Sequence, residues 1–282
     1  MDRGVYRVCT QQNNREPFSG ERDLRNVQLN FAAREVTLKL VYYGPALSGK
    51  TTNLRALHHL TSEDSRGRLM TLETKDDRTL FFDMLPLVFR GGSAAASPAG
   101  RPPSNPMSLR IKVFTVPGQV LHASTRRLVL QGADGVAFIA DSQVAETEHN
   151  AASFLDLRAN LKELGLSVKT LPLVIQFNKR DMPSVRSDAE ISSLAAKGRE
   201  PVFKASAVKG DGVLETFFGL LHLTWSKLDA EHQLAKKLGL DSDKFLSTAA
   251  EKLGYRGSTD ELLRACVGGS LEYTAPTAAV RS

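Results

Sequence analysis

Residues 44–52 read GPALSGKTT, and they follow without a break on the extended run EVTLKLVYY at residues 35–43. They spell G-x-x-x-x-G-K-[ST], the signature of a loop that cradles phosphates between a strand and a helix. Gly44 and Gly49 permit the tight backbone path such a loop needs. The backbone N–H groups from Gly44 through Ala46, Leu47, Ser48, Gly49, Lys50, Thr51 and Thr52 are expected to line the phosphate site. The start of the following helix adds positive potential there. Lys50 is placed to reach the terminal phosphates, and Thr51 to coordinate Mg²⁺.

Outward from this loop, extended and helical runs alternate. VTLKLVYY reads as a strand and TNLRALHHL as a helix, and TLFFDMLPLVF and LRIKVFTV follow as two β-rich runs. GVAFIA and TLPLVIQF are short apolar runs of the kind buried on both faces of a sheet. Between them NAASFLDLRANLKELG places Phe154, Leu157, Leu161 and Leu164 at helical spacing. This βαβα order predicts an α/β fold with a doubly wound, mostly parallel sheet, whose ligands bind at the carboxyl ends of the strands.

The base is read elsewhere. VIQFNKRDMP sets Asn178, Lys179 and Asp181 in an N-K-x-D pattern at the end of a predicted strand. A carboxylate there accepts two hydrogen bonds from guanine N1–H and the N2 amine, a donor pair that adenine lacks. The pattern is weak alone. With the upstream loop and the ASA tripeptide carrying Ser206 and Ala207, it points to guanine. Two further segments complete the set: ETKDDRTLFF contains Thr79, a hydroxyl able to join the Mg²⁺ shell and sense a γ-phosphate, and TVPGQ holds Gly118 and Gln119, the latter placed to orient an attacking water.

In their order, LVYYGPALSGKTTNL, DRTLFFDMLPL, FTVPGQV, ADSQ and IQFNKRDMP resemble the bacterial Ras-like small GTPases of the MglA family, which control gliding motility and cell polarity. The resemblance runs from about Val27 to Trp225, leaving out residues 90–106. It implies a P-loop NTPase of the small-GTPase (Ras-like) fold, a GTP/GDP switch with Mg²⁺ held by Thr51 and Thr79, and catalysis by Gln119 and Arg78. In that family the arginine beside the switch threonine acts in cis, and the partner is a dimeric Roadblock/LC7-type GTPase-activating protein that brings none. A guanidinium there would offset charge developing on the γ-phosphate. Thr115 stands where most G proteins have the aspartate of D-x-x-G; the family shares this threonine, and modest metal affinity is the expectation. Ala46 stands where well-known members have glycine, so slow hydrolysis is expected. The alternative is a GTP-bound scaffold that scarcely turns over.

The 282 residues divide into a leader at 1–26, a GTPase domain at 27–228 and a helical extension at 229–282 with an unstructured tail. The leader is polar and aperiodic and reads as disordered. Residues 90–106, RGGSAAASPAGRPPSNP, read as a long mobile loop joining two adjacent strands. A long helix is predicted from Val213 past Trp225 to about Leu238, followed by two shorter ones. Asp241 or Ser242 caps the first of these and Gly254 ends it; Ser258 with Glu261 opens the second as a capping box.

Net charge is +6, but the basic residues are scattered and no nucleic-acid motif is present, so no nucleic-acid partner is expected. Two cysteines, Cys9 and Cys266, make neither a disulfide framework nor a metal motif. With no secretory h-region, lipidation box or spanning run, the expected location is cytoplasmic, reached at a pole or the inner membrane face only through motility or polarity effectors.

Overall fold

The run EVTLKLVYY forms the centre of the sheet because both of its faces are apolar. Leu38, Leu40 and Tyr42 point into one buried cluster, while Val41 and Tyr43 point into another on the opposite face. The structure, a computed structural model, describes residues 28–30, 35–73, 81–90, 108–118, 123–238, 241–255 and 257–271. The leader, Cys9, the 91–106 portion of the insertion, Arg78, Thr79, Gln119 and the last residues of the tail lie outside these.

In chain order the elements are β1 (Gln28–Asn30), β2 (Glu35–Tyr43), α1 (Lys50–Leu60), β3 (Met70–Glu73), β4 (Phe81–Arg90), β5 (Ser108–Thr115), α2 (Ala123–Leu130), β6 (Gly135–Asp141), α3 (Thr147–Glu163), β7 (Leu173–Asn178), α4 (Asp188–Ala195), β8 (Val202–Lys204), α5 (Val213–His232), α6 (Leu234–Leu238), α7 (Ser242–Lys252) and α8 (Thr259–Arg264). The sheet runs β3-β4-β5-β2-β6-β7-β8, with β1 pairing antiparallel to the start of β2. From β5 to β8 the pairings are parallel. β3 and β4 add antiparallel strands at the far edge. The sheet is thus mostly parallel and doubly wound, as expected, and all seven residues of β6 are buried, as a strand covered on both faces requires. β4 and β5 pair with Arg90 opposite Ser108, so the insertion between them spans a hairpin.

Helices α1 and α5 cover one face through Leu54, Leu57, Phe217, Phe218 and Leu221. α2 and α3 cover the other through Val129, Leu130, Leu157 and Leu161, with Phe154 and Leu164 packed at its margin. α7 and α8 join the first face: Phe245, Leu246, Leu253 and Leu262 belong to the same buried cluster as α1 and α5. Trp225 is 1% exposed, donates from Nε1 to Ser242 Oγ at 3.1 Å, and lies 4.4 Å ring to ring from Phe245.

Three details differ from expectation. β1 and β3 are short strands that the apolar pattern does not announce. The long C-terminal helix stops at His232, because Gln233 takes a left-handed conformation at φ 55 and the Asp229 carboxylate caps a new turn by accepting from Ala235 N at 2.7 Å. At α8, Ser258 caps by accepting from Asp260 N, but no reciprocal box forms: the Glu261 carboxylate accepts instead from the Tyr255 hydroxyl at 2.9 Å. Asp241 caps α7 as expected, and beyond Gly254 the chain returns to the sheet, where Val202 N donates to Gly268 O and Val267 N to Val202 O. None of the helices among the described residues is long and apolar enough to cross a membrane.

Candidate functional site

The glycine loop bridges the end of β2 and the start of α1, at the carboxyl ends of the parallel strands. Gly49 sits at φ 94 as the residue before α1, and a Cβ there would lie 2.2 Å from Asn178 Nδ2, so both conformation and space demand glycine. Gly44 is also at positive φ, and Leu47 adopts φ 61 with its side chain exposed. Ser48 is fully buried, and its hydroxyl has no hydrogen-bond partner among the described residues. Lys50 is buried, and its ammonium donates to Gly44 O at 2.9 Å and Pro45 O at 2.6 Å. Burial, and then the charge of Arg126, lower its pKa to about 8. A cation held, among the described residues, by neutral carbonyls beside another cation is arranged for an anion. Thr51 and Thr52 follow in the first turn of α1, whose N-terminus adds its dipole to the same place.

Asn178 ends β7 and ties the loops together. Its Nδ2 donates to Ser48 O at 2.8 Å, and its Oδ1 accepts from Ala207 N at 3.0 Å. Lys179, at φ 64, turns the chain and pairs with buried Asp141 at 2.6 Å. Asp181 accepts from Ser206 Oγ at 2.6 Å, and that hydrogen bond holds its carboxyl below the usual carboxylate range. Asp181 and Ser206 border a cleft of ≈ 390 Å³ with its carboxylate open to solvent. The phosphate-loop residues, Asn178, Lys179, Asp181, Ser206 and Ala207 are therefore brought to one edge of the fold. Gly118 joins them from the end of β5: a Cβ there would lie 2.5 Å from the backbone N of Ala46. The side chain of Ala46 is exposed at the mouth of the loop.

Oxygen atoms converge beside α1. Thr51 Oγ1 donates to Asp83 Oδ2 at 2.6 Å, Thr115 Oγ1 to the same oxygen at 3.3 Å, and Thr71 Oγ1 to Asp83 Oδ1 at 2.9 Å. The donors are hard oxygens with one carboxylate among them, a set that suits Mg²⁺ rather than a soft metal. The Thr51 hydroxyl gives its proton to Asp83, which leaves its lone pairs available to a cation. Of the two expected metal ligands, Thr51 belongs to this cluster and Thr79 lies outside the described residues, as do the expected catalytic residues Arg78 and Gln119.

Sequence reasoning missed Asp83, Asp141 and Arg126. Arg126 on α2 is 5% exposed and pairs through Nε with Asp156 of α3 at 2.8 Å, while the Tyr43 hydroxyl also donates to Asp156. No local motif marks these residues. Asp83, within DRTLFFDMLPL, and Asp141, within ADSQ, stand in segments that the family resemblance quotes, but the resemblance assigns neither of them a role.

No protein-family model matches the chain. Mutual gliding-motility protein MglA of Myxococcus xanthus (strain DK1622) is 39% identical over 203 residues, which cover 71% of this chain and 96% of that protein. Nearly the whole of that relative thus fits within this chain, and the chain belongs to the MglA family of Ras-like small GTPases.

Proposed function

We propose that this chain is a molecular switch that binds GTP and GDP with Mg²⁺, hydrolyses GTP to GDP, and regulates motility or cell polarity as a relative named for gliding motility suggests. The observation that carries the nucleotide reading is Asn178, whose amide clamps the phosphate loop to the Ser206–Ala207 loop. Phosphate and base recognition are thereby held at a fixed separation, as a ligand with phosphates at one end and a base at the other requires. Lys50 and the backbone of the glycine loop hold the phosphates. Asp181, ionised and braced by Ser206, accepts from guanine, and adenine would leave that carboxylate unpaired.

Mg²⁺, when bound, neutralises phosphate charge; Thr51 and Thr79 are the residues we assign to hold it. Thr79 also reports the γ-phosphate by ordering its segment, Gln119 orients the attacking water, and Arg78 offsets the charge that develops on the transferred group. A Roadblock/LC7-type protein is the activating partner we assign, acting by placing Arg78 and Gln119 rather than by contributing its own arginine. The second reading, a GTP-held scaffold, is favoured by Ala46, whose methyl group stands at the mouth of the loop.

Single-turnover hydrolysis of preloaded GTP, with and without the Roadblock-type protein, tests both. The switch reading expects acceleration by the partner that falls by at least about 100-fold in Arg78→Ala and Gln119→Ala. Tight binding without turnover in either condition would establish the scaffold and direct attention to Ala46→Gly.

A further inference from the structure

Three elements meet at one carboxylate. Asp156 on α3 accepts from the Tyr43 hydroxyl at Oδ2, and the same oxygen lies 2.8 Å from Arg126 Nε of α2. Arg126 Nη2 donates to the other oxygen at 3.4 Å. Asn160, one turn along α3, donates from Nδ2 to the Tyr43 oxygen at 3.2 Å and to Asp156 O at 2.9 Å. Tyr43 is fully buried, and burial with its bond to Asp156 pushes its pKa up, so the hydroxyl stays a donor.

The chain itself sets these residues beside the nucleotide site. Tyr43 ends β2 and is followed directly by Gly44, whose carbonyl accepts from Lys50. Arg126 lies one turn into α2, which begins at Ala123, four residues after Gln119. Its charge is close enough to Lys50 to help lower the pKa of that lysine. On the other side of Gln119, Gly118 is pressed against the Ala46 backbone with no room for a Cβ. The chain that carries Gln119 is therefore held on both sides, by Gly118 at the phosphate loop and by Arg126 at Asp156.

We infer that Asp156 is a positioning residue for GTP hydrolysis: it ties α2 to the end of β2, and so sets where Gln119 stands relative to the phosphates. The inference rests on the switch reading above, in which Gln119 orients the attacking water. The acid does not hold the nucleotide, because the loop has anchors of its own: Asn178 Nδ2 donates to Ser48 O, and Asn53 Nδ2 to Gly49 O at 3.0 Å. Nor does the rim of the two helices replace it. Arg127 pairs with Glu163 there, at an exposed site where ion pairs contribute little. Arg126 is buried, so a shift of α2 that pulls its charge off Asp156 is costly. A displacement of about 1 Å is enough to slow chemistry by roughly 100-fold.

A staple that merely stabilises the fold would show the same contacts, so the test separates chemistry from nucleotide retention and asks whether the acid acts through Gln119. Single-turnover hydrolysis of preloaded GTP and release of fluorescent GDP are measured on the full chain for Tyr43→Phe, Arg126→Lys and Asp156→Asn, each also combined with Gln119→Ala. The first two weaken the cluster and keep every charge, so the result does not depend on Asp156→Asn folding. Hydrolysis should slow by about 5- to 20-fold in Tyr43→Phe and Arg126→Lys and by about 100-fold in Asp156→Asn, with GDP release within about twofold of wild type. Combined with Gln119→Ala, the same changes should cost less than about twofold more, since the residue they place is gone.

Hydrolysis within about twofold of wild type in both Tyr43→Phe and Arg126→Lys would overturn the inference. So would a loss of equal size with and without Gln119, or GDP release quickened as much as hydrolysis is slowed, because either marks a general loosening of the site. Wild-type protein that keeps GTP without turnover, with or without the Roadblock-type partner, would instead refute the switch reading, and this inference with it.

Discussion

Lys50 carries its charge under strain: it is buried, faces two neutral carbonyls and sits near Arg126, and its pKa falls to about 8. Phosphates would raise that value, so the bound state holds the proton more tightly than the free state. Nucleotide affinity should therefore be level below about pH 8 and fall with rising pH above it, at a limit of about tenfold per unit. Measuring fluorescent GDP affinity from about pH 6.5 to about pH 9 checks this, and a profile that stays flat to the upper end would remove Lys50 from the role. At this scale the loop is largely legible from sequence, because Gly44, Gly49 and Lys50 are dictated by local backbone path and local charge. Asn178 is legible as part of a motif, although its bonds to Ser48 and Ala207 are not. Asp83 is illegible for a definite reason: in FFDML it is one polar residue in an apolar strand, and its meaning depends on a hairpin register and on a helix 32 residues away.

Among the elements, the join of β2 to β6 contains a buried acid with a measurable signature. Asp134, just before β6, accepts from Lys39 N at 2.7 Å, and burial pushes its carboxyl up to about 6 despite that bond and the nearby lysines. Between its ordinary 3.8 and about 6 the native state holds a proton that the unfolded chain has lost, so this group makes stability fall as pH rises through that window. Asp134→Asn keeps an acceptor for Lys39 N without the charge. It should melt higher than wild type near pH 7.5, with the difference shrinking below about pH 6. Equal melting points at both pH values would show that the lysines fully offset the burial. Strands such as β6 and β7 were legible because burial on both faces writes an unbroken apolar run, and α3 because its apolar residues keep helical spacing. β1 and β3 were not, since strands of three or four residues are defined by the neighbour they pair with. The break at Gln233 was likewise hidden, as a left-handed glutamine has no sequence signature and depends on Asp229 capping the next turn.

For the molecule as a whole, the C-terminal helices belong to the main core. Phe245 is 3% exposed and stacks against Trp225, the only tryptophan in the chain. Phe245→Ala should cost about 3–5 kcal/mol of stability, the usual range for an aromatic truncated in a packed core. Denaturant unfolding followed by tryptophan fluorescence reads the loss at the contact itself. A change under about 1 kcal/mol would mean that α7 rests on the domain without contributing to its core. The apolar residues of this region could be read from sequence, but which surface they cover depends on packing between helices far apart along the chain.

One consequence of that packing concerns α1. The helix begins at the phosphate loop and ends where Ser62 N and Oγ donate to Lys252 O, at 3.2 and 2.8 Å, with Gly254 so close that a Cβ would lie 2.4 Å from Leu60 O. It is therefore a strut pinned at both ends, and a strut transmits what loosens either one. Wear at the far bracket, whether by proteolysis near Gly254 or a bulky residue in its place, would be felt as a slacker grip at the loop, and ligand retention becomes a gauge of whether the C-terminal end is seated.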